Sequence, residues 1–171
     1  MKAGHLTRRF FGSLSPRGPS KESEEWVRSV LSDDELRLWG RMSGADRRHA
    51  VGVAREVECQ LGHEATKPVL AAALLHDVGK VSSHLGTYGR VVATLAGAAA
   101  GRSMAEAWTE GKGFTRRVGL YLRHAPIGAD MLAMAGSDPL TVTWAREHHL
   151  AEDEWTLPKK IADALKAADD D

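Results

Sequence analysis

Seven consecutive apolar residues, Val69 to Leu75, are followed directly by His76 and Asp77. A helix with so little polar surface has to be buried on all sides, so the rest of the chain must be arranged around it. The histidine and the aspartate then lie at the margin of the core, where an ionised carboxylate is costly unless a cation pairs with it. Because a metal ion is a cation that also binds imidazole, this segment predicts a metal site at the end of a central helix.

Helical periodicity and helix-start signals recur along the rest of the chain. Ser32 and Ser43 are each followed three residues later by an acid, which is the capping-box pattern. Gly79 is placed to end the apolar helix, and two later helices are predicted over residues 114–124 and 127–134. No segment shows the sustained alternation of apolar and polar residues that strands require. The sequence therefore predicts an all-α fold, a helical bundle.

The composition of the 171 residues limits the class of protein. The 23 basic and 23 acidic side chains cancel, which argues against a dedicated nucleic-acid-binding protein because such proteins usually carry a basic excess. The single cysteine, Cys59, excludes an internal disulfide and is typical of a reducing compartment. No apolar stretch reaches the roughly 18–20 residues that a membrane helix needs. We therefore expect a cytoplasmic protein without a membrane span.

Charge and linker composition divide the chain into three parts. Its first 21 residues contain five bases and no acid, and residues 12–20 have the serine, glycine and proline content of a linker. We interpret residues 1–19 as a basic N-terminal tail and residues 20–42 as a helical extension. Residues 43–171 are interpreted as the metal-binding domain, because the family resemblance set out below covers this part of the chain.

Other metal-ligand candidates lie on helices before and after His76 and Asp77. Near the start of its helix, His49 shares the apolar face. In the last helix, at about 100° per residue, Asp169 lies roughly 40° from Leu165 at the edge of the inward face. Asp163 and Asp170 point nearly the opposite way. The further candidates are His49, His124, His148, His149 and Asp169.

Each candidate also has an interpretation without a metal. Taken alone, His49 or His124 is more often a hydrogen-bonded histidine than a ligand. The doublet of His148 and His149 is also a favourable end for a helix, where cations suit the dipole. Asp169 by itself belongs to an acidic end of the chain. These explanations must be made separately for each residue, whereas one metal site accounts for all of them.

The order His, His-Asp, His, His-His, Asp on consecutive helices resembles the HD-domain superfamily of metal-dependent phosphohydrolases. Residues 74–80, LLHDVGK, are similar to the centre of the HD-GYP and related branches. Residues 123–132, RHAPIGADML, resemble their histidine-Pro-x-x-Gly-Ala segment, with Ala125 where proline is usual. The GYP signature is missing after the histidine pair, and Ala45 stands where a glutamate supports a third metal in some members. These departures argue against cyclic di-GMP hydrolysis and favour two metals over three.

The resemblance covers residues 43–171 and implies a two-metal phosphohydrolase. The nitrogen-rich, thiolate-free ligands suit Mn or Fe, and two such ions about 3.5–4 Å apart could activate water for in-line attack on phosphorus. Lys80 is the implied contact to the phosphate oxygens, with Arg90 and Arg123 as weaker candidates. The substrate is expected to be a small phosphorylated molecule of nucleotide type, either a phosphodiester or a phosphomonoester. The implied ligands are His49, His76, Asp77 and Asp169 for one metal and His124, His148 and His149 for the second, with Asp77 bridging.

Two functions of other classes are the alternatives to a phosphohydrolase. A di-iron oxygenase also occurs on this type of scaffold, and oxygen uptake would distinguish it from an enzyme that releases phosphate. Degenerate relatives of the superfamily serve as non-catalytic signalling modules. Those relatives have lost metal ligands, whereas this chain retains the full set.

Overall fold

The computed structural model describes residues 17–170, with the side chains of all of these except residues 87–88 and 98–103. The predicted basic tail lies outside the described residues apart from its last three. Within the described range the chain forms helices and no strand, which confirms the all-α fold. The α-helices are α1 (Lys21–Val30), α2 (Asp33–Trp39), α3 (Gly44–Leu61), α4 (Lys67–Leu75), α5 (Thr87–Thr109), α6 (Gly113–Leu122), α7 (His124–Met134), α8 (Pro139–Glu147) and α9 (Lys159–Asp170), and short 3-10 helices span Gly62–Glu64, Val78–Ser83 and Glu152–Glu154.

The capping patterns start helices where the sequence predicts them. The Ser32 hydroxyl accepts from the backbone N–H of Glu35, and the Glu35 carboxylate accepts from the backbone N–H of Ser32, so the capping box of α2 is complete. Ser43 caps α3 by accepting from the backbone N–H of Asp46. The carboxylate of Asp46 accepts from the Ser43 hydroxyl at 2.7 Å and also pairs with Arg90 of α5. This acid therefore links the start of α3 to another helix.

The apolar helix α4 lies at the centre of the main core, as predicted. All seven residues from Val69 to Leu75 are buried, and the helix packs against α3 and α8. Complete burial of a leucine such as Leu74 contributes roughly 1.5–3 kcal/mol. Val27 of α1 and Trp39 of α2 belong to the same core, so residues 20–42 pack on the helices that follow them.

The helices α5 and α6 pack together beside the main core. A small separate cluster of Leu85, Ala93 and Val118 lies between them. At 23 residues α5 is the longest of the described helices. Neither α5 nor any other helix in residues 17–170 is long and apolar enough to cross a membrane.

Two boundary predictions are wrong. The apolar helix ends at Leu75, before Gly79, because the chain tightens into the 3-10 helix Val78–Ser83. The helix predicted over residues 127–134 begins three residues earlier, at His124. Proline is tolerated in the first turn of a helix, so Pro126 does not mark the start.

Gly79 has a packing role in place of the predicted helix end. A Cβ atom added there would overlap the carbonyl oxygen of His124 and lie 2.6 Å from the backbone nitrogen of Gly128. The 3-10 helix and the first turns of α7 are therefore in backbone contact, which no residue larger than glycine permits. This contact sets the position of His124 relative to Asp77.

We expect Gly79→Ala to lower the free energy of unfolding by about 1–3 kcal/mol, since it forces α7 away from the 3-10 helix. Urea denaturation followed by circular dichroism measures the change. Gly52→Ala is the matched control, because Gly52 lies within α3 and an added Cβ meets nothing within 4 Å. That variant should be as stable as the parent or up to about 1 kcal/mol more stable. Equal stability of the two variants would contradict the proposed packing role.

Candidate metal centre

Five helices bring the predicted metal ligands together. The second turn of α3, the first turn of α7 and the last turn of α9 each contribute one ligand, and the ends of α4 and α8 contribute two each. Each of these side chains has a ligand atom within 4 Å of a ligand atom of another, so all seven form one connected cluster. The residues brought together are His49, His76, Asp77, His124, His148, His149 and Asp169.

Asp77 lies in the middle of the cluster, with 8% of its side-chain surface exposed. Its Oδ1 is 3.2 Å from Nε2 of His124 and 3.8 Å from Nε2 of His148. Its Oδ2 is 3.4 Å from Nε2 of His76 and accepts from the ammonium of Lys80. The two carboxylate oxygens therefore face two different groups of histidines.

Backbone carbonyls orient three of the histidine rings. Nδ1 of His76, His124 and His148 lies 2.9, 2.7 and 3.0 Å respectively from the carbonyl oxygen three residues earlier in the chain. Because a carbonyl oxygen only accepts, each Nδ1 carries the proton and each neutral ring keeps its lone pair on Nε2. This hydrogen bond is the usual support of a metal-bound histidine, whose other ring nitrogen binds the ion.

Two of these Nε2 atoms have no hydrogen bond although they are buried. Nε2 of His76 and of His148 is shielded from solvent and makes no well-formed hydrogen bond within the described chain, since the nearest carboxylate oxygens lie 3.4 Å from His76 and 3.8 Å from His148. An unsatisfied buried polar atom costs about 1–3 kcal/mol, so two of them in one site require an explanation. A metal ion bound to both nitrogens would satisfy them, and the residues present therefore fit a metal.

The ligand atoms fall into two groups that share Asp77. Within each group, all the ligand atoms lie within 4.8 Å of one another. The Nε2 atoms of His149 and His124 are 3.1 Å apart, close to the separation of adjacent ligands on a metal with bonds of about 2.1 Å. The groups are Asp77, His124, His148 and His149, and His49, His76 and Asp77. This buried cluster of histidines and aspartates could hold a metal ion.

Asp169 joins the second group through one oxygen. Its Oδ1 is 2.9 Å from Nε2 of His49 and 3.5 Å from Nε2 of His76. The other two acids of α9 considered above, Asp163 and Asp170, are exposed and pair with lysines of their own helix. The angular prediction that selected Asp169 among these acids agrees with the structure.

The charges of the cluster are divided between its two sides. Burial opposes ionisation of His76, but the carboxylates of Asp77 and Asp169 raise its pKa to about 10. Burial, with the nearby His124, lowers the pKa of His149 to about 4. Burial and His76 hold the pKa of His148 well below its usual range. The side next to α8 therefore carries neutral imidazoles, the form that binds metal.

The cationic candidates differ in their distance from the centre. Lys80 contacts Asp77 directly, and its Nζ is 6.0 Å from the ring centroid of Tyr121. Burial opposes its charge, but Asp77 raises the pKa of its ammonium group. Arg123 pairs with Glu106 and is 38% exposed. The structure therefore places Lys80 at the centre and Arg123 at the surface.

Sequence reasoning missed one supporting acid, Glu147. It is buried, and its carboxylate accepts from the backbone N–H and the hydroxyl of Thr156 at 2.8 and 2.7 Å. These bonds close the loop that follows the histidine pair and hold the end of α8 in place. The available signal was an acid directly before two histidines, followed nine residues later by Thr156, whose backbone N–H and hydroxyl both donate to it.

Comparison with known proteins does not assign the chain to a family. No family model matches the chain, and neither curated proteins nor solved structures give a significant match. The buried histidine and aspartate cluster is therefore defined by its own geometry, and that geometry establishes a site that could hold metal.

If Asp169 is a ligand, Asp169→Asn should weaken Mn²⁺ binding at least about tenfold, because the ion loses an anionic oxygen beside His49. Titration of the metal-free protein by isothermal calorimetry measures the affinity. Asp170→Asn makes the same chemical change on the next residue, whose side chain is 63% exposed and pairs with Lys166. We expect this control to bind Mn²⁺ as the parent does. Equal affinities for the two variants would exclude Asp169 as a ligand.

Proposed function

We propose that this protein is a metal-dependent phosphohydrolase of the HD-domain type that acts at a two-metal centre. The observation that carries the proposal is the placement of Asp77. Its two oxygens face separate groups of histidines, which is what a carboxylate that bridges two ions requires. The seven residues that carry the sequence resemblance also meet in one place in an all-α fold.

The ligand set supports two transition-metal ions. Five imidazoles and two carboxylates are too many for one ion that must also bind water or substrate. Their nitrogen-rich and thiolate-free composition suits Mn or Fe. Bound ions of this kind polarise a phosphoryl group and supply water of lowered pKa. In this assignment one ion is held by His49, His76, Asp77 and Asp169, and the other by Asp77, His124, His148 and His149.

Lys80 places a positive charge beside the candidate metal ligands, which metal binding alone does not require. Its ammonium contacts Asp77 and its side chain is 18% exposed, so the lysine lies between the buried ligands and solvent. A phosphate group that reaches the metal centre comes within reach of this ammonium, which binds the non-bridging oxygens and offsets charge that develops on them. The hydrogen bonds from Nδ1 to backbone carbonyl oxygens hold the rings of His76, His124 and His148 in place, so these ligands need little rearrangement when metal binds.

The environment of the centre favours a phosphohydrolase over the two alternatives. An oxygenase needs the metals but has no general requirement for a fixed ammonium beside the bridging carboxylate. A non-catalytic metal-binding module needs the same ligands but has no requirement for an ammonium placed beside them to contact a substrate. The nitrogens of His76 and His148 support metal binding, and Lys80 beside Asp77 supports an anionic substrate.

Metal content and a substrate screen test the proposal. Elemental analysis of protein prepared without oxygen and reconstituted with Mn²⁺ should give close to two ions per chain. We expect this protein to release product from at least one member of a panel of cyclic dinucleotides, nucleoside mono- and triphosphates and generic phosphodiesters. Less than half an ion per chain after reconstitution would reject the centre. Oxygen uptake with an iron-dependent optical signal, without hydrolysis, would identify the oxygenase.

Asp77→Asn should reduce the rate of hydrolysis by at least about a hundredfold, since the amide keeps the shape but not the charge that bridges two cations. The rate is measured in buffer replete with metal, and circular dichroism checks that the variant is folded. Asp163→Asn is the control, because Asp163 lies on α9 in an exposed pair with Lys159. A rate for Asp77→Asn within threefold of the parent would show that the bridge is wrongly assigned.

A further inference from the structure

Arg90 at the start of α5 is fixed in a single orientation beside the centre. Its Nη1 donates to Oδ1 of Asp46 at 2.6 Å, and its Nε donates to the carbonyl oxygen of Leu85 at 3.1 Å. The side chains of Arg90 and Asp46 are 21% and 12% exposed. Within the described part of the chain, these bonds occupy two of the five N–H groups of the guanidinium. Three further N–H groups of the guanidinium are left for other acceptors.

The location of Asp46 puts this pair next to the metal centre. Asp46 precedes His49 by three residues on α3, so the two side chains lie on neighbouring faces about 4.5 Å apart along the helix axis. Asp46 also interacts electrostatically with Lys80, and Arg90 interacts with Asp77 and Tyr121. Asp46, which bonds the guanidinium at 2.6 Å, is therefore a neighbour of Arg90, of Lys80 and of the metal-ligand candidate His49.

The charged side chains of Lys80 and Arg90 favour an additional anion once metal is bound. In the described structure Lys80 pairs with Asp77, and Arg90 pairs with Asp46. Metal ions that take the charge of Asp77 would leave Lys80 without its carboxylate partner. The region then carries the excess positive charge of Lys80, with a planar guanidinium beside it that matches the geometry of phosphate oxygens.

A second ion pair, of similar exposure, involves the next residue of α3 and provides a comparison. Arg47 pairs with Glu24 of α1 at 2.9 Å, with side-chain exposures of 26% and 24%. This pair ties α1 to α3. Both ion pairs join helices, and that of Arg90 also interacts with Asp77 of the centre.

We propose that Arg90 forms a subsite for a second phosphate of the substrate, next to the phosphate that Lys80 and the metal centre bind. Asp46 is the positioning residue of this subsite, since it holds the guanidinium without touching the ligand. The inference rests on the proposed function and narrows its substrate class to phosphate esters that carry at least one further phosphate. Nucleoside di- and triphosphates have this chemistry, whereas a monoester with a single phosphate does not.

Binding of orthophosphate and pyrophosphate tests the subsite without any requirement for turnover. Isothermal calorimetry is performed on protein as purified and after loading with Mn²⁺, with metal content checked after each titration. Arg90→Gln should weaken pyrophosphate binding at least about tenfold, since a charge-assisted contact to phosphate is lost. Binding of orthophosphate should stay within about twofold of the parent. Arg90→Lys keeps the charge without the planar fork and should give an intermediate loss.

Control variants separate the subsite from effects on folding. Arg47→Gln removes the comparable pair and should leave both affinities unchanged. Asp46→Asn combined with Arg90→Gln avoids an unpaired carboxylate and should show the same selective loss as Arg90→Gln. The subsite is rejected if Arg90→Gln affects both anions equally, affects neither, or if the parent binds neither anion in either preparation.

Two patterns of results distinguish a failure of the Arg90 subsite from a failure of the proposed phosphohydrolase function. Selective loss of pyrophosphate binding in Arg90→Gln, with no hydrolysis of any phosphate ester by the parent, supports the subsite and rejects the phosphohydrolase. Hydrolysis by the parent with pyrophosphate binding that does not depend on Arg90 rejects the subsite alone.

Discussion

A carboxylate buried at the end of an apolar helix is the constraint on which the rest of this structure depends. The same sequence that makes α4 a core helix carries Asp77 into a region where an unpaired charge costs several kcal/mol. Burial opposes its ionisation, yet Lys80 and His76 hold the pKa of this carboxyl well below its usual range. Every element near it contributes a cation, a hydrogen-bond donor or a candidate metal ligand. The site is therefore a consequence of how the core is built.

Helix ends serve as the platform for the ligands for a physical reason. The last turn of a helix leaves carbonyl oxygens without intrahelical partners. His76 and His148 are the residues that end α4 and α8, and each ring donates through Nδ1 to one of these carbonyls. His124 does the same with the last turn of α6. Capping and metal binding are therefore not alternatives here, because one ring nitrogen caps the helix and the other faces the centre.

Close backbone contact then brings the two halves of the centre together. The 3-10 helix after Asp77 approaches α7 at Gly79 and Gly128, so His124 comes within 3.2 Å of the carboxylate. Near His49, the ion pair of Asp46 and Arg90 joins α3 to α5. These contacts surround the proposed metal centre with residues whose positions are set by packing. They also leave Lys80 and Arg90 on the side proposed to receive an anionic substrate.

The sequence by itself determined the all-helical fold, the burial of α4 and the set of residues in the cluster, because periodicity and capping are local properties of the chain. Even Asp169 could be selected from helical angles alone. The tertiary structure decided which helix faces meet, and with that the contact at Gly79 and the pairing of Arg90 with Asp46, 44 residues away. Gly79 illustrates the limit: a glycine after a helix resembles a local stop signal, but its contact lies on α7. Contacts between distant segments depend on packing geometry that no local pattern contains.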